Sequence, residues 1–214
     1  MTPLVYLHGF ASGPGGSKGT HCRRWAEARG VPFHAPDLNL PTFERLTVTA
    51  QVEAVEALLS GLPPAVVVGS SLGGLVAAAV AHRGTPLAGL ILLAPAFGFS
   101  LRRLAGPRWS GYRRRGTMPT FHFARNAWTV LERDLLEDLP AWKDDRTWRL
   151  EVPTAILHGR RDEAVPLEES RAFAAANPGA RLVEVDDDHG LLAPESLAAL
   201  DGLLAAAFPK GKGY

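Results

Sequence analysis

Residues 65–74 read AVVVGSSLGG: an apolar run, a turn of glycine and serine, and then the start of the helical pattern LGGLVAAAVAH at 72–82. Inside this stretch, residues 69–73 form GSSLG, a G-x-S-x-G set between a strand pattern and a helix pattern. That context carries more than the motif. A sharp strand-to-helix turn strains the backbone of its central residue and needs small neighbours, which Gly69, Gly73 and Gly74 supply. The turn lifts the Ser71 hydroxyl above the edge of a sheet. Ser70 is the rival nucleophile but lacks the central place between the glycines.

Outward from this turn, short apolar runs recur at 4–8, 90–93, 155–158 and 181–185, most ending near glycine as buried parallel strands do, with a weaker run around Phe33. Helical patterns lie between them at 17–29, 45–59, 167–176 and 194–206. Strands that alternate with helices at this spacing need crossover connections. The expected fold is therefore α/β: a parallel or mostly parallel central sheet with helices on both faces, formed by residues 1–214 as a single domain.

Residues 97–150 break the rhythm. They hold four of the five tryptophans and the arginines at 102, 103, 108 and 113–115, and are too long for an idle connection, so an inserted cap or lid is expected there. The polar tail 210–214 is expected to fray.

With 46% apolar and 21% charged residues the chain has an ordinary globular balance, and its net charge of +1 gives no footprint for nucleic acid. The arginine cluster reads as a solvated face. Cys22 stands alone, so no intramolecular disulfide forms. No segment is long and apolar enough to span a bilayer, and Met1 leads into a strand pattern without the features of a secretory signal. A cytoplasmic location is expected.

A serine hydroxyl becomes a useful nucleophile only when a base takes its proton and a third group holds that base in one tautomer. His189 follows the strand pattern 181–185 in VDDDHGL, and Asp162 follows 155–158 in LHGRRDEAVP. The order serine, aspartate, histidine is that of the strand-turn-helix hydrolases, and parallel strand ends share one sheet edge, so three separate loops converge. Asp162 could instead pair with Arg160 or Arg161, and Asp186, Asp187 and Asp188 are substitute acids. Neighbours such as Asp188 and His189 seldom point at each other, which favours Asp162.

The first strand ends in YLHGF at 6–10. Backbone N–H groups from the turn after such a strand can face the nucleophile, which makes the Phe10 N–H one oxyanion donor and the Leu72 N–H, at the helix start, the other. His8 and His158 read as structural.

YLHGF, GSSLGG, HGRRDEAVP and DDDHG together resemble the signature stretches of small bacterial esterases in the α/β-hydrolase superfamily, over most of the chain outside 97–150. The resemblance implies Ser71, Asp162 and His189 as catalytic triad and Phe10 and Leu72 as oxyanion donors. The chain departs from larger members in starting at the HGF strand, without a leading antiparallel hairpin, and in lacking a longer glycine run there. A reduced sheet is expected.

The implied reaction is hydrolysis of a small-molecule acyl ester through an acyl-enzyme on Ser71, with no cofactor. Thioesterase or peptidase chemistry on the same triad, or a receptor reusing a hydrolase pocket, are the alternatives. Phe97, Phe99, Trp109, Phe121 and Trp128, with Leu101, Leu104, Tyr112 and Phe123, either line an apolar acyl pocket or pack the cap's own core. GPGGSKGT at 13–20 fails as a phosphate loop because Ser17 and Gly19 flank Lys18 in place of glycine and a hydroxyl residue. No metal-ligand spacing occurs, and serine at 71 excludes a haloalkane-type nucleophile.

Overall fold

The computed structural model describes residues 1–106 and 109–209; Arg108 of the arginine cluster and the tail 210–214 lie outside the described residues. Among the described residues six strands form one sheet in the order β2-β1-β3-β4-β7-β8, with β1 Leu4–Leu7, β2 Phe33–His34, β3 Ala65–Ser70, β4 Leu87–Leu93, β7 Thr154–Gly159 and β8 Ala180–Val185. Every pairing in it is parallel.

Alternate residues of each strand feed two cores, as the pleat requires. Val5, Leu7, Val67, Leu90, Leu92 and Ile156 face one, packed under α2 Val48–Ser60, α3 Leu72–His82 and Phe173 of α7 Leu167–Ala176. Leu4, Tyr6, Val66, Val68, Ile91, Leu93 and Leu157 face the other, against Cys22 and Trp25 of α1 Ser17–Glu27 and Leu200, Leu203 and Leu204 of α8 Pro194–Ala207. Both faces are covered, which is why the strand patterns read as continuous apolar runs. The helices on both faces and the parallel sheet are those expected. The α2 helix begins at Val48 rather than at 45, because Thr47 caps it by accepting from the Ala50 N–H at 3.1 Å.

Residues 97–150 fold into α4 Phe99–Ala105, α5 Ser110–Arg115, an antiparallel hairpin of β5 Met118–His122 and β6 Ala127–Leu131, α6 Asp134–Asp138, and two short 3₁₀ turns. Their apolar residues do not form a separate nucleus: Phe97, Tyr112, Leu131, Leu135, Leu139, Trp142 and Trp148 join the α2/α3 core. Polar links strengthen the union. The Asp138 carboxylate accepts from the N–H groups of Val48 (2.7 Å) and Thr49 (3.1 Å), completing the cap of α2, and Trp142 Nε1 donates to Thr49 Oγ1 at 3.0 Å.

Asp145 is buried and accepts from the Gly98 N–H at 2.7 Å, tying the two ends of this segment together. Burial pushes its carboxyl up to about 6, against the lowering effect of the Gly98 bond. A carboxyl held above its unfolded value of ~3.9 binds more protons folded than unfolded, so its contribution to stability is full below pH ~4 and is lost as pH rises towards 6. Asp145→Asn should remove about 3 kcal/mol of this pH-dependent loss. Urea unfolding at pH 4 and pH 7 measures it, and equal slopes in both proteins would refute the assignment.

Candidate active site

The chain leaves β1 for β2 on one side and continues from β3 to β4 on the other, so the sheet order reverses between β1 and β3. Ligands of open parallel sheets sit in the crevice outside the strand ends at such a point. The HGF loop after β1 and Ser71 after β3 meet there, where a Cβ on Gly9 would lie 3.2 Å from Ser71 Cβ.

Ser71 has φ 53° and ψ −116°, a conformation L residues rarely adopt, and it is held from two sides. Its N–H donates to the Leu93 carbonyl at the end of β4 (2.9 Å), and its carbonyl accepts from Ala96 and Gly74 (both 2.9 Å). The clamp fixes the turn so that Ser71 Oγ lies 3.0 Å from His189 Nε2.

His189 Nδ1 lies 2.7 Å from Asp162 Oδ2. A carboxylate partner places the proton on Nδ1 and leaves Nε2 to accept from the serine hydroxyl. The other carboxylate oxygen, Oδ1, accepts from the N–H groups of Ala164 and Val165, each at 2.8 Å. Burial raises the Asp162 carboxyl, but hydrogen bonds from His158, His189 and the Val165 N–H outweigh it and hold the group well below the usual carboxylate range. Asp162 is therefore an anion at neutral pH.

Each substitute acid has another partner. Asp186 pairs with Arg161 at 3.2 Å, Asp187 accepts from the Ala193 N–H (2.8 Å) and Ser196 (2.7 Å), and Asp188 accepts from the Gly190 N–H (2.7 Å). Arg160 pairs with Glu184 at 3.4 Å rather than with Asp162. Ser70 is buried at the end of β3, and its side chain hydrogen-bonds Tyr6.

Phe10 lines the same cavity as Ser71, and Leu72 follows Ser71 as the first residue of α3. His8 shapes the loop beneath them: its Nδ1 is 2.9 Å from the Gly9 carbonyl, and its Nε2 accepts from the Leu38 N–H at 2.9 Å.

His158 does more than the sequence reading assigned to it. It is buried, with Nε2 shared between the Val165 carbonyl (3.1 Å) and Asp162 Oδ2 (3.2 Å), while Nδ1 meets Ser170 Oγ at 2.7 Å. Both partners of Nε2 are acceptors, so the proton sits there and His158 helps to aim the carboxylate. The spacing of His158 and Asp162 on a strand end and its loop is visible in sequence; that the ring turns back towards the loop is not.

A cavity of about 540 Å³ opens on Ser71 and His189, walled by Phe10, Lys18, Phe123 and Leu192 among others. Phe97, Phe99, Trp109, Phe121 and Trp128 are not among the residues lining it. Phe97 is in the core, stacked on Phe173 with centroids 4.0 Å apart; the Arg103 guanidinium lies over the rings of Phe99, Trp109 and Phe10; Phe121 packs edge-on against Phe123 and an exposed Trp128. From residues 97–150 it is Phe123, at the hairpin tip, that reaches the cavity, where its N–H donates to the Ala11 carbonyl at 2.8 Å. Among the described residues no cluster of side chains is suited to hold a metal ion, and no helix is long and apolar enough to cross a membrane.

The parallel sheet, the strained serine turn after its third strand and the loops that meet at the reversal define an α/β-hydrolase fold, and solved structures of that class superpose on it. Est1E from Butyrivibrio proteoclasticus, solved with ferulic acid bound, matches 98% of this chain and 90% of its own with a TM-score of 0.82 at 19% identity. Mouse alpha/beta hydrolase domain-containing protein 10 matches 96% and 89% with a TM-score of 0.79 at 19% identity. A protein of Xanthomonas campestris pv. campestris assigned to the alpha/beta superfamily of hydrolases matches 96% and 99% at 26% identity, with a TM-score of 0.63. The model of the Uncharacterised protein family (UPF0227) matches residues 3–196, and the chain belongs to that family. Comparison with curated proteins gives no significant sequence match.

Proposed function

We propose that this protein is a serine hydrolase that cleaves a small carboxylic ester through an acyl-enzyme on Ser71. The observation that carries the reading is the unbroken chain of contacts Ser71 Oγ to His189 Nε2 to Asp162 Oδ2, at 3.0 and 2.7 Å. His189 takes the serine proton as Oγ attacks the carbonyl carbon, and Asp162 stabilises the resulting imidazolium. The developing oxyanion is received by the Phe10 and Leu72 N–H groups, the latter at the positive end of α3. His189 then protonates the leaving alcohol, and water, activated by the same imidazole, releases the acid. The groups used belong to the protein, so the cycle as written calls for no cofactor.

Hydrolysis of p-nitrophenyl esters from acetate to octanoate tests the reading, together with labelling by a fluorophosphonate. Turnover with covalent capture at Ser71 is expected. Absence of both would sink it and leave a ligand receptor on this scaffold.

Asp162→Asn should keep the fold and lower kcat by ~10⁴, because an amide can present a donor to Nδ1 and favour the wrong tautomer. If the variant keeps a tenth of the rate, His189 is oriented by another group.

A further inference from the structure

The GPGGSKGT stretch, which fails as a nucleotide-binding loop, has a place in the site: Lys18, the second residue of α1, lines the same cavity as Ser71 and His189. Its Nζ donates to the Gly190 carbonyl at 2.7 Å. Among the described residues it makes no ion pair. The nearest acids are engaged elsewhere: Asp162 with His189 and His158, Asp187 with Ser196 and the Ala193 N–H, Asp188 with the Gly190 N–H.

Two local effects oppose an ammonium at this position. Burial disfavours its charge and lowers its pKa, although Asp162, Asp188 and Asp187 counteract this at longer range. The first turn of a helix is also the positive end of its dipole. Lys18 is half-buried, and one contact with a neutral carbonyl is a poor return for a partly desolvated cation. The cavity is lined by the apolar Phe10, Phe123 and Leu192 and by the hydroxyl residues Ser12, Ser17 and Ser70, and Lys18 is the lysine among its lining residues.

We infer that the ester cleaved at Ser71 carries an anionic group, a carboxylate or a phosphate, that Lys18 binds within the catalytic cavity. The inference rests on the esterase reading and narrows it to a substrate class. Lys18 is a specificity-determining residue, and the acyl transfer itself is unchanged: the ester C–O bond breaks, the acyl group passes to Ser71 and then to water, and the anionic group takes no part in bond making.

Matched pairs that differ only in this charge test it. Mono-p-nitrophenyl adipate against its methyl ester places the anion in the acyl part; 4-acetoxybenzoate against its methyl ester places a carboxylate in the leaving group; 4-acetoxyphenyl phosphate against its dimethyl ester places a phosphate there. In at least one pair the anionic member should have a kcat/KM about 10- to 100-fold higher, as a charge-assisted hydrogen bond provides, mainly through KM. The preference should shrink in high salt. Lys18→Met should reduce the anionic-to-neutral ratio to near one, and Lys18→Arg should keep most of it.

A ratio at or below one in every pair overturns the inference, and because this reading comes from the unmodified protein it does not depend on the variants folding. Equal losses for both members in Lys18→Met, with the ratio intact, also overturn it and leave Lys18 as a tether of the His189 loop. Turnover of the neutral esters without preference removes this inference alone. Turnover of none of the esters removes the esterase reading with it.

Discussion

Ser71→Ala should abolish ester hydrolysis, lowering kcat by up to ~10⁶, while leaving the fold intact. In the proposed mechanism the three residues act as a unit, and without Oγ His189 would have no proton to take and the acyl-enzyme could not form. The stability expectation follows from the backbone. The clamp on Ser71 runs through its N–H and carbonyl, bonded to Leu93, Ala96 and Gly74, and alanine retains both groups. Alanine also suffers the same strain at φ 53° that serine does. Stability should stay within ~0.5 kcal/mol of the unmodified protein. Initial rates with a short p-nitrophenyl ester, paired with thermal melts, measure both. A variant that keeps a tenth of the activity would move the nucleophile to Ser70, and Ser70→Ala would then have to be the inactive protein.

Gly73→Ala should have the opposite profile, losing stability as well as activity. A Cβ at Gly73 would sit 2.3 Å from the Leu7 carbonyl oxygen and 2.5 Å from that of His8. Those are backbone atoms at the end of β1 and the start of the loop bearing Phe10, so no rotamer change relieves the overlap. Either α3 withdraws from the sheet or the HGF loop moves away from Ser71. We expect a loss of about 3 kcal/mol or more. For a chain of this size that corresponds to a drop in Tm of roughly 6–12 °C. Gly179→Ala is the control, since a Cβ there meets nothing within 4 Å; its melt should coincide with that of the unmodified protein. A Gly73→Ala melt within two or so degrees of that control would show that the β1–α3 contact yields more easily than close-packed backbone should.

Gly159 poses the same constraint at the other side of the site. A Cβ there would approach the Asp187 carbonyl oxygen to 2.4 Å, in the segment leading to His189. Glycines in the first turn of α3 and at the end of β7 thus permit the close approach of backbones around the serine, aspartate and histidine loops. In sequence they read as turn residues near strand ends, which is correct as far as it goes. Their partners across the sheet edge are set by strand order, and strand order is a property of the packed sheet.

The segment 97–150 shows where local pattern stops being informative. Nine of its residues, among them Phe97, Phe99, Trp109 and Tyr112, have two readings from sequence, an acyl pocket or a core of the cap's own, and those four lie elsewhere: Phe97 and Tyr112 enlarge the main core, and Phe99 and Trp109 lie against Arg103. An aromatic side chain reports that area must be buried, not against what. Trp128, exposed at 72%, satisfies neither reading, while Phe123, exposed at 71%, borders the cavity. The α2 cap from Asp138 was equally illegible, since it joins positions about 90 residues apart.

What the sequence determined by itself was local and periodic: apolar runs of strand length, helical patterns between them, and a serine in the one kind of turn that strains it, which together specify a parallel sheet and single out the residues of the proposed site. These follow from backbone sterics and the burial of apolar surface within short windows of chain. The tertiary structure alone decided that His158 stands behind the acid facing His189 and that Lys18 shares a cavity with Ser71, and it closed the choice of Asp162 that the sequence favoured over its alternatives. Those relations join residues distant in sequence. Their geometry is fixed by strand order and by close contacts between backbones, and no local pattern encodes it.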